Sequence, residues 1–132
     1  MRELVVEKWW NVQRTERNDL PFVVHVPGLM VFNGIEIPVP FGYMCDLASV
    51  PRIPFVYARY GGRADIPAVG HDLLYDCFTD QISRADADWI FWRLMELRND
   101  PERWSPRYMM WLGTRVGGWR GWHRDTTWKC KQ

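Results

Sequence analysis

The stretch A-V-G-H-D-L-L-Y, residues 68–75, places an imidazole, a carboxylate and a phenol close together in the chain. His71 and Tyr75 are four residues apart, so a helix puts both side chains on one face. Asp72 lies about 100° further round the same helix. The spacing predicts a helix from about Ile66 to Phe78 whose polar side chains border a common groove.

The next block, S-R-A-D-A-D at residues 83–88, predicts a second helix that directs a further carboxylate at the first. Ser83 is a favoured N-cap residue, and Asp86 follows it by three positions, as in a capping box. This helix should end near Leu97 and point Asp88 back toward His71. Its apolar side is predicted to consist of Ile90, Phe91, Leu94, Met95 and Leu97.

Segments with the character of β-strands precede these helices. The first forty residues contain four runs, each 4 to 9 residues long, that are rich in Val, Ile and aromatic side chains. Asn33-Gly34 suits a tight hairpin turn, and Pro38 and Pro40 predict that the following strand either ends there or lies at a sheet edge. A third helix should run from Pro106 to Gly117. The order predicts an α+β fold, in which a small antiparallel sheet of the N-terminal half packs against two or three helices.

The length of 132 residues fits a single domain, residues 1–132, with a sizeable core. The charged N-terminus lacks the apolar run of a secretory signal, and no stretch reaches the roughly 18 to 20 apolar residues that span a bilayer. Three cysteines without a C-x-x-C pair favour reduced thiols. These features predict a protein that is made and folded in a cytoplasm.

Charge is unevenly distributed along the chain. Residues 1–102 hold 10 Lys and Arg against 15 Asp and Glu, a formal charge of −5, whereas residues 103–132 hold 7 against 1, or +6. The basic tail from about residue 118 is also rich in tryptophan, which suits contact with a partner protein. Contact with a membrane or cell wall ranks below this, and nucleic acid is disfavoured. The predicted partner-binding residues are Trp119, Trp122, Arg124 and Trp128, whereas Trp89, Trp92 and Trp111 are expected in the core or in subunit contacts.

Three blocks in this order resemble the signature of a small family of unknown function that is widespread in tailed bacteriophages and prophages. They are G-Y-M-C-D-L-A-S-V-P-R at residues 42–52, A-V-G-H-D-L-L-Y at 68–75 and S-R-A-D-A-D-W-I-F at 83–91. The family usually has Thr where this chain has Cys45. The resemblance covers about residues 39–91. It implies a phage or prophage origin, with synthesis in the cytoplasm of the bacterial host, but it implies no established activity.

The pattern A-x-x-H-D-x-x-Y with a downstream Ala-Asp is also similar to that of secreted phospholipases, including the capsid-borne lipases of parvoviruses. This similarity implies that His71 is a general base that activates water, while Tyr75 and Asp88 hold its second ring nitrogen. Asp72 would ligate Ca²⁺, which polarises the ester carbonyl. The chain lacks the glycine-rich calcium loop of those lipases, and Asp46 is the candidate to supply the missing ligand.

The same polar residues also fit a cluster that catalyses nothing. A buried network of His, Asp and Arg side chains can fix a loop on a pair of helices through charge-assisted hydrogen bonds. In this interpretation Ser49 caps a turn, while Arg52 and Arg84 pair with the carboxylates. The predicted members of the cluster are Asp46, Ser49, Arg52, His71, Asp72, Tyr75, Arg84 and Asp88.

Two kinds of function therefore stay open. The first is a structural or interaction protein of the virion, such as a tail or capsid accessory. The second is a metal-assisted hydrolase that cleaves a lipid ester or a cell-wall bond with a His-Asp dyad, so the sequence leaves open whether the protein is an enzyme. Its cofactor is unknown, with Ca²⁺ as the first candidate. Zn²⁺ on His71, Asp72 and either His25 or His123 ranks lower, because adjacent His and Asp are an uncommon zinc pair.

Overall fold

The computed structural model of the chain describes residues 1–16, 22–45, 65–99, 104–117 and 122. Over these residues, strands of the N-terminal half precede helices of the C-terminal half, so the predicted α+β fold is confirmed. The strands are β1 (Leu4–Lys8), β2 (Asn11–Arg14), β3 (Phe22–Val26), β4 (Gly28–Phe32), β5 (Ile35–Val39) and β6 (Met44–Cys45). The helices are α1 (Asp65–Cys77), α2 (Arg84–Arg98) and α3 (Trp104–Gly117).

The described strands form two antiparallel three-stranded sheets, ordered β1-β4-β5 and β2-β3-β6. The predicted hairpin is confirmed, because β4 and β5 are joined by Asn33 and Gly34 with φ angles of 48° and 83°. Pro38 lies within β5, opposite Leu29 of β4. Since β5 is at the edge of its sheet, the missing N–H of this proline removes no bond from a central strand.

Trp10 lies where the strand-like run of residues 4–12 divides into two strands. The chain leaves β1 after Lys8 and resumes pairing as β2 only at Asn11. The indole is buried, with 1% of the residue exposed, and its N–H donates to the Ile66 carbonyl of α1 at 2.8 Å. The break therefore turns a large side chain inward and fixes the start of α1 against the sheets.

Two glycines make room for this indole. A Cβ on Gly28 would lie 2.7 Å from the backbone nitrogen of Trp10, and one on Gly70 would lie 2.7 Å from its Cζ2 atom. Real Cβ atoms do not approach other atoms so closely. Gly70 directly precedes His71, so the contact with Trp10 sets how close this part of α1 comes to the strands.

The two predicted helix boundaries that matter for the site are close to those observed. Ser83 caps α2, and its hydroxyl accepts a hydrogen bond from the backbone N–H of Asp86 at 3.1 Å. Helix α2 ends at Asn99, whose φ of 53° is the left-handed conformation of a helix C-cap. The described helices include none that is long and apolar enough to cross a membrane.

One core cluster contains side chains from the strands and from α1 and α2, including Val24, Met30, Ile37, Leu74 and Ile90. Four of the five residues predicted for the apolar side of α2 are buried, but Leu97, in its last turn, is 44% exposed. The expectation of three reduced thiols is wrong for Cys77, which is disulfide-bonded. Cys45 is free and buried.

Candidate functional site

The carboxylate of Asp88 lies at the centre of a buried polar cluster that involves each of the three described helices. Its Oδ1 accepts hydrogen bonds from His71 Nε2 at 2.7 Å and from the Tyr75 hydroxyl at 2.5 Å. Its Oδ2 accepts one from Arg115 Nη1 at 2.8 Å, with Arg84 Nη1 at 3.7 Å. We call these five residues the Asp88 cluster.

Aromatic rings enclose the imidazole of this cluster. His71 and Tyr75 are one turn apart on α1, and their ring centroids are 4.4 Å apart. Phe91 follows Asp88 by three residues on α2 and lies 4.8 Å from the imidazole. The ring of Trp122 meets that of Tyr75 edge-on at 4.9 Å. The side chains of His71 and Asp88 are fully buried, which strengthens the hydrogen bond between them.

Arg84 and Arg115 attach α3 to this arrangement. Arg84, in the first turn of α2, donates to the carbonyl groups of Thr114 at 3.0 Å and Arg115 at 3.3 Å. Carbonyl groups in the last turn of a helix lack partners within the helix and carry its negative dipole end, so a guanidinium suits them. Arg115 in turn donates to Asp88. The carboxylate of Asp88, on α2, thus connects α1 with α3.

Protonation within the cluster follows from burial and hydrogen bonding. Burial lowers the pKa of His71 below its ordinary value of 6.5, and the hydrogen bond with Asp88 offsets only part of this effect. Burial alone would raise the pKa of Asp88, but hydrogen bonds from His71, Tyr75 and Arg115 outweigh it, and the pKa lies below the ordinary 3.8. A carboxylate only accepts hydrogen bonds, so the neutral imidazole carries its proton on Nε2 and Nδ1 is its basic nitrogen.

Asp72 lies on a different side of α1, near the end of the sheet that contains β6. It is buried, with 3% of the residue exposed. Tyr43 lies on this side of α1, where its hydroxyl donates to Asp76 at 2.6 Å. Burial raises the pKa of Tyr43 well above 10, and the charge of Asp72 raises it further. Helix α1 therefore presents His71 and Tyr75 to α2 but Asp72 and Asp76 to Tyr43.

Four of the predicted site residues are brought together, namely His71, Tyr75, Arg84 and Asp88. Trp122, predicted to bind a partner, is partly buried against Tyr75. Six predicted residues lie outside the described part of the chain: Asp46, Ser49, Arg52, Trp119, Arg124 and Trp128. The same holds for His123.

No group of three or more His, Cys, Asp or Glu side chains that could hold a metal ion occurs among the described residues. His25, on β3, therefore does not join His71 and Asp72 in such a group there. Of the two predicted Ca²⁺ ligands, only Asp72 is described.

Arg115 was not identified from the sequence. A buried carboxylate at Asp88 needs a cation to compensate it, and Arg84 one turn earlier was an evident candidate. The third helix offers both Arg107 and Arg115, and nothing in their spacing indicates which one faces α2. In the structure Arg107 donates to Asn99 at 2.7 Å, whereas Arg115 reaches Asp88.

Comparison with known proteins identifies a family but no activity. Neither the curated proteins nor the solved structures include a significant match. A family model described as "Protein of unknown function (DUF1353)" matches residues 30–114, well over half of the chain. The match begins within β4, includes the later described strands and the whole of α1 and α2, and ends within α3. The chain therefore belongs to the DUF1353 family of proteins of unknown function.

Proposed function

We propose that this protein is a structural or interaction component of a bacteriophage or prophage particle, a tail or capsid accessory, made in the host cytoplasm. In this role the Asp88 cluster holds the three helices in place. The observation that carries the proposal is the complete burial of the His71 side chain. A general base must reach its substrate, whereas an imidazole enclosed by Asp88, Tyr75 and Phe91 serves to fix the packing of helices. The signature blocks noted above support the phage origin.

The proposal is tested by deleting the gene from the phage or prophage that encodes it. We expect the wild-type chain to band with purified particles in a density gradient, and its deletion to reduce the yield of complete particles. A plasmid that supplies His71→Gln should restore the yield at temperatures where circular dichroism shows the variant folded. A chain that is absent from the particles, or a folded His71→Gln protein that restores nothing, contradicts an architectural role.

A metal-assisted hydrolase is the second candidate, favoured by one specific feature of the Asp88 cluster. His71 is held through Nε2 by Asp88, whose Oδ1 also accepts a hydrogen bond from the Tyr75 hydroxyl. The similarity to secreted phospholipases implies that these two residues hold the imidazole. The arrangement holds the imidazole in one tautomer, and the carboxylate would stabilise the imidazolium that forms when the ring takes up a proton. Bound Ca²⁺ would supply polarisation of the ester carbonyl. Asp72, its described candidate ligand, faces Tyr43 and not the imidazole, so such a site would need further ligands from outside the described residues.

Release of fatty acid from phosphatidylglycerol vesicles distinguishes this candidate from the first. If the protein is a hydrolase, wild type releases fatty acid in CaCl₂ and not in EGTA, and both His71→Gln and Asp72→Asn abolish release. Asp86→Asn is the matched control, because this half-buried carboxylate of α2 belongs to neither group of residues, and the variant should retain full activity. No release by the folded wild-type protein on lipid vesicles or on purified cell walls contradicts the hydrolase.

A further inference from the structure

A groove of about 530 Å³ lies between α2 and α3, on the surface beside the Asp88 cluster. Its size falls within the range of pockets that bind ligands of moderate size. Aromatic side chains supply most of its wall. Trp92 and Trp111 meet edge-on at 6.4 Å, and Tyr108 lies 5.8 Å from Trp111. The groove is lined chiefly by Arg2, Trp89, Trp92, Tyr108, Trp111 and Arg115.

Two arginines supply guanidinium donors to this aromatic groove, and no acidic residue lines it among those described. A carboxylate orients each guanidinium through one nitrogen: Arg2 Nε donates to Asp86 at 2.8 Å, and Arg115 Nη1 donates to Asp88 at 2.8 Å. Arg2 also lies over the ring of Trp89, 5.8 Å from its centroid. A guanidinium has five N–H donors, so each arginine retains donors for an anionic ligand.

Apolar side chains continue from the groove along the outside of α3. Tyr108 lines the groove and is 42% exposed, and Met109 and Leu112, 41% and 36% exposed, follow it on the outer side of the helix. A small molecule confined to the groove would leave this surface in water. A peptide segment of a partner protein would cover both the groove and this outer surface of α3. Trp, Tyr and Arg, which line the groove, are the residues that dominate the affinity of protein interfaces.

We propose that this groove binds an acidic peptide segment of a partner protein, with an aromatic side chain of the segment against the tryptophan rings and its carboxylates on Arg2 and Arg115. The inference rests on the proposed role as an interaction protein and specifies the chemistry of the partner. The groove supplies stacking surface for the aromatic ring and charge-assisted hydrogen bonds for the acids. Since Arg115 also donates to Asp88, the bound segment is anchored to the side chain that holds the helices together.

Nuclear magnetic resonance of the full chain, labelled with ¹⁵N in its tryptophan indoles, tests the proposal. The probes are acetyl-Asp-Trp-Asp-amide, its charge-reversed analogue acetyl-Lys-Trp-Lys-amide, and acetyl-Asp-Ala-Asp-amide, which lacks the ring. We expect the first peptide alone to shift the indole signals of Trp89, Trp92 and Trp111. The indole of Trp10 is an internal control, because it is buried and bonded to Ile66.

Arg2→Gln and Arg98→Gln form a matched pair of variants. Arg98 also lies over a tryptophan, 5.0 Å from the Trp9 ring, but neither residue lines the groove. Arg2→Gln should weaken binding of acetyl-Asp-Trp-Asp-amide about tenfold, the loss expected for one hydrogen bond to a charged group. Arg98→Gln should leave the affinity unchanged. Both arginines are on the surface, so the two proteins are expected to fold.

Several results would overturn the proposal. They are the absence of indole shifts with the acidic peptide, equal shifts with the lysine peptide, and equal loss of affinity in the two arginine variants. If indole-3-acetate binds in the groove and acetyl-Asp-Trp-Asp-amide does not, the ligand is a small aromatic anion and not a peptide. A chain that binds the acidic peptide but is absent from purified particles contradicts the virion role and leaves the groove assignment standing.

Discussion

Replacing Asp88 with Asn should destabilise the protein far more than the same change at Asp86, two residues away on α2. Asn has nearly the same shape but no charge, and the NH₂ group of its side chain would face the hydrogen-bond donors of the cluster. The substitution therefore leaves the guanidinium of Arg115 without its counter-ion at 2.8 Å. Breaking a buried pair in this way costs about 3–5 kcal/mol. Since the side chain of Arg115 is 32% exposed, water recovers part of that, and we expect a loss of about 3 kcal/mol.

Asp86 supplies the comparison because it also pairs with an arginine at 2.8 Å, but on the surface. The side chains of Arg2 and Asp86 are 45% and 31% exposed, and such pairs contribute about 0.2–1 kcal/mol. The hydrogen bond to Ser83 uses the backbone N–H of residue 86 and survives the change. The free energy of unfolding is measured in urea by circular dichroism at neutral pH, with the slope m as a check on compactness. If Asp88→Asn lowers the free energy of unfolding no more than Asp86→Asn does, the Asp88 cluster is not central to the stability of the fold.

Three further predictions concern the surroundings of the cluster. A Gly→Ala change stabilises an unhindered helix by about 1 kcal/mol, but Gly70→Ala should lower the free energy of unfolding by about 1–2 kcal/mol because its Cβ meets Trp10. In a Trp10→Phe background the same change should raise the free energy of unfolding. If Gly70→Ala stabilises the protein that retains Trp10, the contact is contradicted. Tyr75→Phe keeps the ring but removes the hydroxyl bonded to Asp88, and should cost about 1–2 kcal/mol in urea unfolding; no loss would show that the bond contributes nothing. The pKa of His71 is lowered below 6.5 in the folded state. The stability that the neutral imidazole contributes is therefore complete above pH 6.5, and it is lost as the pH falls from 6.5 through the lower pKa of the folded state. His71→Gln should flatten this part of the pH profile of stability, and an unchanged slope contradicts a neutral buried imidazole.

Local signals were sufficient to predict the helices and turns that carry the site. Ser83 marked the start of α2 because an N-cap hydroxyl needs only the N–H of a nearby residue, here Asp86. Asn33-Gly34 marked the hairpin because positive φ angles favour those residues. The meeting of His71 with Asp88 also followed from short-range information, since two helices joined by a short turn pack antiparallel. Each of these signals acts over a few residues.

Contacts between distant parts of the chain were not predictable in the same way. Asp72 was expected beside His71 and Asp88, but successive residues of a helix point about 100° apart, and the chain also placed Tyr43 beside α1. Which of the two neighbouring residues His71 and Asp72 faces α2 therefore depends on how α1 is rotated about its axis. Hydrophobic periodicity does not determine that rotation, because residues 67–75 of α1 are buried all round.

The rotation of α1 follows instead from one close approach. The indole of Trp10 occupies the space that a side chain at position 70 would fill, and its N–H binds the carbonyl of Ile66 one turn earlier. These two contacts lie on the side of α1 that faces the strands, so His71, the next residue round the helix, is directed away from the indole toward α2. The glycine within A-V-G-H-D is thus as necessary to the Asp88 cluster as the histidine that follows it. Its partner is 60 residues away in the sequence, which is why the motif by itself does not reveal the geometry that it produces.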